Sequence, residues 1–214
     1  MQITWYGHSC FLLASESGSS ILTDPCDPDT GYELNDLTCD AVTISHEHHD
    51  HNCLAIVAGD PTIIRTAGET TMGDIQITGF SNYHDDAKGA TRGGNIVFLY
   101  HIDGLKVLHL GDLGHMLPEE TIEKIGDVDV LLAPIGGVST INAKTASALS
   151  DRLNAKVLIP MHYKTPALHF DIEGLEPLLA ANVNRHVHHL NGNTAQLSRE
   201  TLGERRLLIL DYKH

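Results

Sequence analysis

The sequence lacks the features that would place a protein in a membrane or in an oxidising compartment. It contains no apolar stretch long enough to span a bilayer, and its first residues carry neither the basic region nor the apolar run of a secretory signal. Only four cysteines are present, and no two of them form a Cys-x-x-Cys pair. We therefore expect reduced thiols and a cytoplasmic protein.

Positive charge is also scarce, since 14 Lys and Arg stand against 28 Asp and Glu, giving a net charge of −14. This acidity argues against nucleic acid or an anionic membrane as a partner, so we expect a small-molecule substrate. No repeat, low-complexity tract or proline-rich linker divides the chain. A length of 214 residues suits one substantial domain or two small ones, and we expect a single domain over residues 1–214.

Histidine, in contrast, is abundant, and four of the 15 histidines stand together in the stretch HEHHDH. This stretch directly follows a run of small and β-branched residues at 41–45, which predicts a buried strand. His46 and His48 are two residues apart, so in extended chain their side chains leave on the same side and can close on one metal ion. Asp50 and His51 are adjacent and diverge, which suits a second ion. Mixed nitrogen and oxygen ligands favour zinc first, then manganese, iron or nickel.

The pattern His-x-His-x-Asp-His at residues 46–51 resembles the signature of the metallo-β-lactamase-fold hydrolases. The segments 7–13 and 21–25 look like one branch of that superfamily. This branch contains small metal-dependent hydrolases, ascorbate-6-phosphate lactonase-like enzymes and N-acyl-phosphatidylethanolamine phospholipase-like enzymes. The resemblance spans roughly residues 3–198 and implies an α/β fold, a four-layer αβ/βα sandwich with ligands at strand ends along one edge.

The resemblance also implies a third ligand for the first ion. His84 follows the predicted strand 75–80 and is the expected partner of His46 and His48. Three other histidines compete for this role: His101, His109 and His115. His109 lies inside the predicted strand 106–110 and suits the core, or a position behind the ligands, better.

The second ion needs one further ligand, and the two ions need a bridge. His162 follows the predicted strand 156–160 and completes the second ion with Asp50 and His51. Asp112 stands behind a glycine at the exit of a strand and matches the bridging aspartate of the family. A turn or helix cap is the structural alternative for Asp112.

The resemblance implies a hydrolase in which a water activated between two divalent ions attacks carbonyl carbon or phosphorus. Asp50 or Asp112 could accept the remaining proton, and His8 could orient the substrate or protonate the leaving group. Asp24 is either a turn residue before Pro25 or a carboxylate that orients a ligating histidine. Two residues compete with His8 for its role: Tyr163 and Lys164.

The metal and the substrate class are less sharply indicated. The position that is glutamate in diiron relatives is His48 here, which favours zinc, then manganese, over a redox diiron centre. An ester or lactone hydrolase is the first expectation. A phosphodiesterase is the alternative and would be favoured by a cationic pocket around Lys88, Arg92 or Lys164. A metal-binding protein without turnover is disfavoured, because all seven ligand positions are intact.

The remaining periodicity predicts an opening strand meander, a hairpin with a type I′ turn at Asp103–Gly104, and then alternating helices and strands. The histidines around residue 188 lack a nearby carboxylate in sequence, so we expect a surface or structural role for His186, His188 and His189. The apolar run 207–210 predicts an edge strand or an oligomer contact. Helices are expected near 51–57 and over 118–125, 142–153 and 172–180.

Overall fold

The computed structural model describes residues 1–213, which form two mixed β-sheets that share one core. The six-stranded sheet contains, in spatial order, β13 (Thr194–Gln196), β1 (Gln2–Gly7), β2 (Cys10–Ala14), β3 (Ser20–Thr23), β4 (Ala41–Thr43) and β5 (Thr62–Ile64). The eight-stranded sheet contains β12 (His186–His189), β14 (Arg206–Ile209), β11 (Val157–Met161), β10 (Val130–Pro134), β9 (Leu105–His109), β8 (Gly94–Ile102), β7 (Ile75–Tyr83) and β6 (Gly68–Met72).

The burial of the strands follows their sequence periodicity. In β1, Ile3 and Trp5 are buried while Gln2, Thr4 and Tyr6 are partly exposed, so one face of this strand meets the core. Every residue of β10 is buried, as expected for a parallel strand that is covered on both faces. The apolar residues of the two sheets thus form one continuous core between them.

Three α-helices pack on the eight-stranded sheet: α1 (Glu119–Ile125), α2 (Ala143–Arg152) and α3 (Glu176–Ala181). The N-terminus of α2 is capped by Asn142, whose side-chain oxygen accepts the Thr145 N–H at 3.0 Å. The outer face of the six-stranded sheet is covered instead by loops and by two 3-10 turns, Pro28–Thr30 and Leu54–Ile56. The predicted αβ/βα sandwich is confirmed, with a thinner outer layer on this side.

Two predicted helices are shorter than expected, because backbone groups at one end of each form hydrogen bonds with other segments of the chain. Only Leu54–Ile56 is helical in the segment 51–57, since Leu37 bridges Val57 and its carbonyl accepts the Ala58 N–H. The last long helix begins at Glu176 rather than 172, because Glu173 pairs with backbone groups of Gly136 and Lys164. No helix within residues 1–213 is long and apolar enough to cross a membrane.

The strand predictions hold in part. The type I′ turn is present, with positive φ at Asp103 (49°) and Gly104 (73°). The strand β14 is not an edge strand, because β12 lies outside it and takes the edge of the sheet. The histidines of β12 are exposed, which suits that edge. The short strands β6 and β13 were not predicted; β6 is exposed along most of its length and lacks apolar alternation.

Candidate metal centre

The predicted ligands meet where five strands end at one edge of the two sheets. Each strand end delivers its own residue or residues: His8 after β1, His46 to His51 after β4, His84 after β7, Asp112 after β9 and His162 after β11. Loops held by strand ends on a rigid scaffold are a common origin of binding sites. Side chains far apart in sequence therefore converge without long flexible segments.

The first group of potential ligand atoms belongs to His46, His48 and His84, and these atoms lie within 4.8 Å of one another. The His46 Nε2 and His48 Nδ1 atoms are 3.0 Å apart. His84 turns its Nε2 towards Asp112 Oδ2 at 3.3 Å, and His46 Nε2 lies 3.9 Å from the same oxygen. The three imidazoles predicted for the first ion are thus brought together.

The second group contains Asp50, His51 and His162, and His8 lies with them. Asp50 Oδ2 is 3.1 Å from His8 Nε2 and 3.6 Å from His51 Nε2. The rings of His8 and His162 have centroids 4.1 Å apart. The predicted ligands of the second ion are therefore also adjacent, and His8 is a further imidazole in this group.

Asp112 lies between the two groups. Its Oδ1 is 3.2 Å from His51 Nε2, and its Oδ2 is 3.3 Å from the Nε2 atoms of both His84 and His162. The backbone of Asp112 is held by Asn95, whose side-chain oxygen accepts the Asp112 N–H at 2.9 Å. This placement suits a carboxylate shared by two ions.

Gly111 allows the chain to deliver Asp112 at this position. Its φ is +56°, in the left-handed region that favours glycine. A Cβ added at Gly111 would lie 2.4 Å from Asn95 Oδ1 and 2.6 Å from the Cβ of Ser45. The glycine that precedes the proposed bridging aspartate is therefore required both by conformation and by space.

Asp24 forms the contact predicted for an orienting carboxylate. Its Oδ2 accepts from His51 Nδ1 at 2.8 Å and from the Ser45 hydroxyl at 2.6 Å, while its Oδ1 accepts the Ser45 N–H at 2.7 Å. The Ser45 hydroxyl oxygen is also 3.0 Å from His46 Nδ1. Because Nδ1 of His51 is engaged by Asp24, its Nε2 is directed into the cluster.

Charge in the cluster is unevenly distributed. Burial, together with neighbouring imidazoles, lowers the pKa of His8 to about 4 and that of His46 to about 3. Burial alone would raise the pKa of Asp112, but His162 and His51 hold that pKa well below its ordinary range. Burial lowers the pKa of His51, yet Asp112 and Asp24 outweigh it and hold the pKa well above its ordinary value.

The donor set fits a divalent cation. His51 Nε2 and Asp112 Oδ1 are buried and face each other at 3.2 Å, but neither has a partner in hydrogen-bond geometry among residues 1–213. Buried polar atoms normally have such partners. The Asp112 carboxylate is held ionised, and the raised pKa of His51 marks a point that attracts positive charge, which a divalent metal bound by these side chains would occupy.

Backbone strain is concentrated at this edge. Three residues of the site that are not glycine have positive φ: His8 (51°), Asp24 (38°) and His162 (48°). The pairing of β1 with β2 also shifts register between Trp5 and Gly7, directly before His8. Such conformations cost free energy, and they cluster at functional sites where the surrounding structure enforces them.

Several predicted contributors lie elsewhere. Tyr163 packs in the core against Trp5, with ring centroids 5.5 Å apart, and Lys164 Nζ donates to the carbonyls of Leu168 and Phe170 at 2.6 and 2.8 Å. Neither residue belongs to the ligand groups found among residues 1–213. The three histidines that competed with His84 as a ligand also lie outside these groups: His101, His109 and His115. His109 is buried and ties the end of β9 to the backbone of Ser9, as predicted for a core histidine.

Two residues of this site were missed in the sequence. Ser45 links Asp24 to His46, and Asn95 holds the backbone of Asp112. Ser45 directly precedes the histidine motif, which is a weak signal. Asn95 lies 17 residues from Asp112, and only the pairing of β8 with β9 brings them together.

The fold and this cluster define a metal-binding αβ/βα sandwich with a histidine- and aspartate-rich centre at one edge. A profile of the beta-lactamase superfamily domain matches residues 2–162, and the chain belongs to this superfamily. The predicted family is therefore confirmed.

Similar proteins agree on the class. A protein of Methanoregula boonei named UPF0173 metal-dependent hydrolase is 31% identical over 188 residues, which cover 77% of this chain and 83% of the relative. A structure of a proposed Zn-dependent hydrolase of the metallo-beta-lactamase superfamily from Thermotoga maritima is 40% identical, with a TM-score of 0.82 and 99% of both chains covered.

A more distant structure, the metallo-beta-lactamase fold protein YhfI of Bacillus subtilis, is 13% identical. It has a TM-score of 0.63, covers 99% of this chain and 96% of its own, and supports the fold alone. The predicted enzyme class, a metal-dependent hydrolase of this superfamily, is confirmed.

Proposed function

We propose that this hydrolase cleaves ester or lactone bonds of small molecules and that it holds two divalent ions, most readily zinc. The observation that carries this proposal is the meeting of two ligand groups at Asp112. A lone ion would leave one of these groups without a role. The net charge of −14 supports a small-molecule substrate over nucleic acid or an anionic membrane.

In this proposal the two ions have separate ligands and one shared ligand. His46, His48 and His84 hold the first ion, and Asp50, His51 and His162 hold the second. Asp112 contributes to both, because its two oxygens face histidines of both groups. Zinc is favoured over manganese, since five of the seven proposed ligands are imidazoles, and nitrogen ligands suit zinc better than a harder cation.

The residues around the ions have distinct tasks. When bound, the ions would lower the pKa of a water molecule and polarise the carbonyl group of the ester or lactone. Asp50 is the carboxylate that we assign to receive a proton, because its side chain is 11% exposed and that of Asp112 is only 2% exposed. Proton acceptance by a positioned carboxylate is general base catalysis.

For His8 we propose a different role from the predicted one of orienting the substrate or protonating the leaving group. Its side chain is fully buried, and the ring of Phe170 packs against it with centroids 5.6 Å apart. It therefore does not contact a substrate from this position. Its Nε2 lies 3.1 Å from Asp50 Oδ2, and we assign it to holding the Asp50 carboxylate in place.

The experiment is metal analysis combined with a substrate panel. The purified protein is stripped with a chelator, reloaded with zinc or manganese, and assayed with p-nitrophenyl butyrate, γ-butyrolactone and bis-p-nitrophenyl phosphate. We expect two ions per chain, and ester and lactone cleavage that depends on them. The variant His84→Ala should lose one ion, whereas His101→Ala, on an exposed histidine outside the cluster, should keep both.

One ion per chain in the reloaded protein would contradict the dinuclear assignment. Faster cleavage of the phosphodiester than of the esters would favour the alternative, a phosphodiesterase. Two tightly bound ions with no cleavage of any of the three compounds would favour a metal-binding protein without turnover.

A further inference from the structure

A pocket of about 410 Å³ lies beside the first group of histidines. It is open to solvent and is bounded by the end of β4 on one side and by β7 and β8 on the other. His46 and His48 form part of its wall, so a molecule in this pocket is next to the metal centre. The charged residues that line it are Glu47, Arg65 and Arg92.

Of the two arginines that line this pocket, one has a partner within residues 1–213 and the other does not. Arg65 pairs with Glu47 at 3.2 Å, and Glu47 also accepts from the side chain of Asn52 at 3.0 Å. The Arg92 guanidinium, in contrast, makes no hydrogen bond or ion pair with any other residue in the range 1–213. An unpaired arginine among the residues that line a pocket, in a chain with a net charge of −14, points to a negatively charged ligand.

The loop that carries Arg92 is ordered by one carboxylate. Asp85 accepts four backbone N–H groups, those of Ala87, Gly89, Thr91 and Arg92, at 2.7–3.0 Å. The buried Asp85 thereby holds the loop over 87–94 to the end of β7. The backbone of Arg92 is thus fixed beside the pocket, which lowers the cost of ordering its side chain around a ligand.

We propose that this pocket binds a carboxylate or phosphate group of the substrate through Arg92, with the scissile bond of the same molecule at the adjacent metal centre. The inference rests on the proposed function and adds a substrate class, an ester or lactone that carries a separate anionic group. A guanidinium suits this role, because its planar donors can bind the two oxygens of a carboxylate or phosphate together. Glu47 opposes the anion, but Arg65 and Asn52 already engage its oxygens.

The binding test uses the zinc-loaded protein and two matched variants. Isothermal titration measures the affinity for succinate, for methylphosphonate and for neutral succinamide. Arg92→Gln removes the proposed contact. Lys88→Gln removes a cation from the same loop that does not line the pocket. Both side chains are exposed, so neither substitution should affect folding, which thermal unfolding checks.

We expect Arg92→Gln to weaken binding of at least one anion by about 10- to 100-fold, the range for hydrogen bonds between charged groups. Lys88→Gln should change it less than about twofold, in line with a screened surface charge. Any direct contact of the anion with the ions is common to all three proteins and cancels in the comparison. Equal affinities for Arg92→Gln and Lys88→Gln would overturn the inference. Comparing succinate with methylphosphonate shows which anion the pocket prefers.

Turnover provides a second and separate readout. Mono-p-nitrophenyl succinate and p-nitrophenyl butyrate carry the same leaving group but differ in charge. Arg92→Gln should raise KM for the charged ester and leave that for the neutral ester unchanged, whereas equal effects on both would refute an anion-binding role. If the wild-type protein cleaves neither ester, the proposed function fails, while the titrations still decide whether Arg92 binds an anion.

Discussion

Replacement of Asp24 by alanine tests how the metal centre is supported. The carboxylate of Asp24 is almost fully buried and accepts three hydrogen bonds, from the backbone and hydroxyl of Ser45 and from His51 Nδ1. Asp24→Ala leaves these donors without their partner. His51 would then be free to rotate or to change tautomer, and its Nε2 would no longer be directed into the cluster.

The structure sets the size of the expected effect. Removal of one partner from a buried charged pair costs about 3–5 kcal/mol of unfolding free energy, and we expect a loss in this range for the metal-free protein. Loss of a carboxylate that orients a ligating histidine lowers metal affinity by about 10- to 100-fold. Because Asp24 contacts His51 of the second group directly and His46 of the first group only through Ser45, we expect binding of the second ion to be weakened more than that of the first.

The assay is a competition titration of zinc with a chromophoric chelator, together with urea unfolding of the metal-free protein. Asp40→Ala is the matched control. Asp40 accepts the backbone N–H and hydroxyl of Ser20 at 2.8 and 3.0 Å, in the same way that Asp24 accepts from Ser45, but it is exposed and belongs to no ligand group. Unchanged zinc affinity in Asp24→Ala would refute the orienting role and return Asp24 to a turn residue.

Three further changes test other parts of the site. Asp50→Ala should lower the metal content from two ions to about one per chain and shift the pH–rate profile upward; two tightly held ions and an unshifted profile would contradict the assignment. Gly111→Ala should destabilise the protein by about 1–3 kcal/mol and weaken metal binding, because the added methyl meets Asn95. Gly126→Ala, with a similar φ of 65° but no close neighbour, should leave metal binding intact. Asp85 has a pKa lowered to about 2 by the backbone N–H groups of its loop, so its support is complete above about pH 4, its unfolded pKa, and disappears as pH falls through about 2. The NMR signals of the loop amides should titrate with that midpoint, and a midpoint near 4 would count against the hydrogen bonds from these amides to Asp85.

Local rules accounted for the parts of this protein that depend on neighbours in sequence. The run before His46 predicts a strand, and the spacing of His46 and His48 places both imidazoles on one side of the chain. The type I′ turn at Asp103–Gly104 follows from residues that tolerate positive φ. Each of these features depends on a few adjacent residues, and each is present.

The parts that failed depend on pairing across long distances. The segment after His51 forms only one 3-10 turn, because Leu37 competes for its backbone groups. The strand β14 is internal in the eight-stranded sheet, because β12 pairs with its outer side. Lys164 was a candidate for contact with the substrate, but its Nζ donates hydrogen bonds to the carbonyls of residues 168 and 170. Periodicity contains no information about such partners.

The sequence by itself determined which residues could bind metal, since ligand chemistry resides in the side chains, and it determined the strand ends that carry them. Tertiary structure decided how they are used. It placed Asp112 between two groups of histidines and buried His8 behind Asp50. It also set Arg92 beside the pocket through the hydrogen bond from its backbone N–H to Asp85. These relations depend on distances between strands that are far apart in the chain. Such distances are set by the packing of the two sheets around their shared core, which no local stretch of sequence specifies.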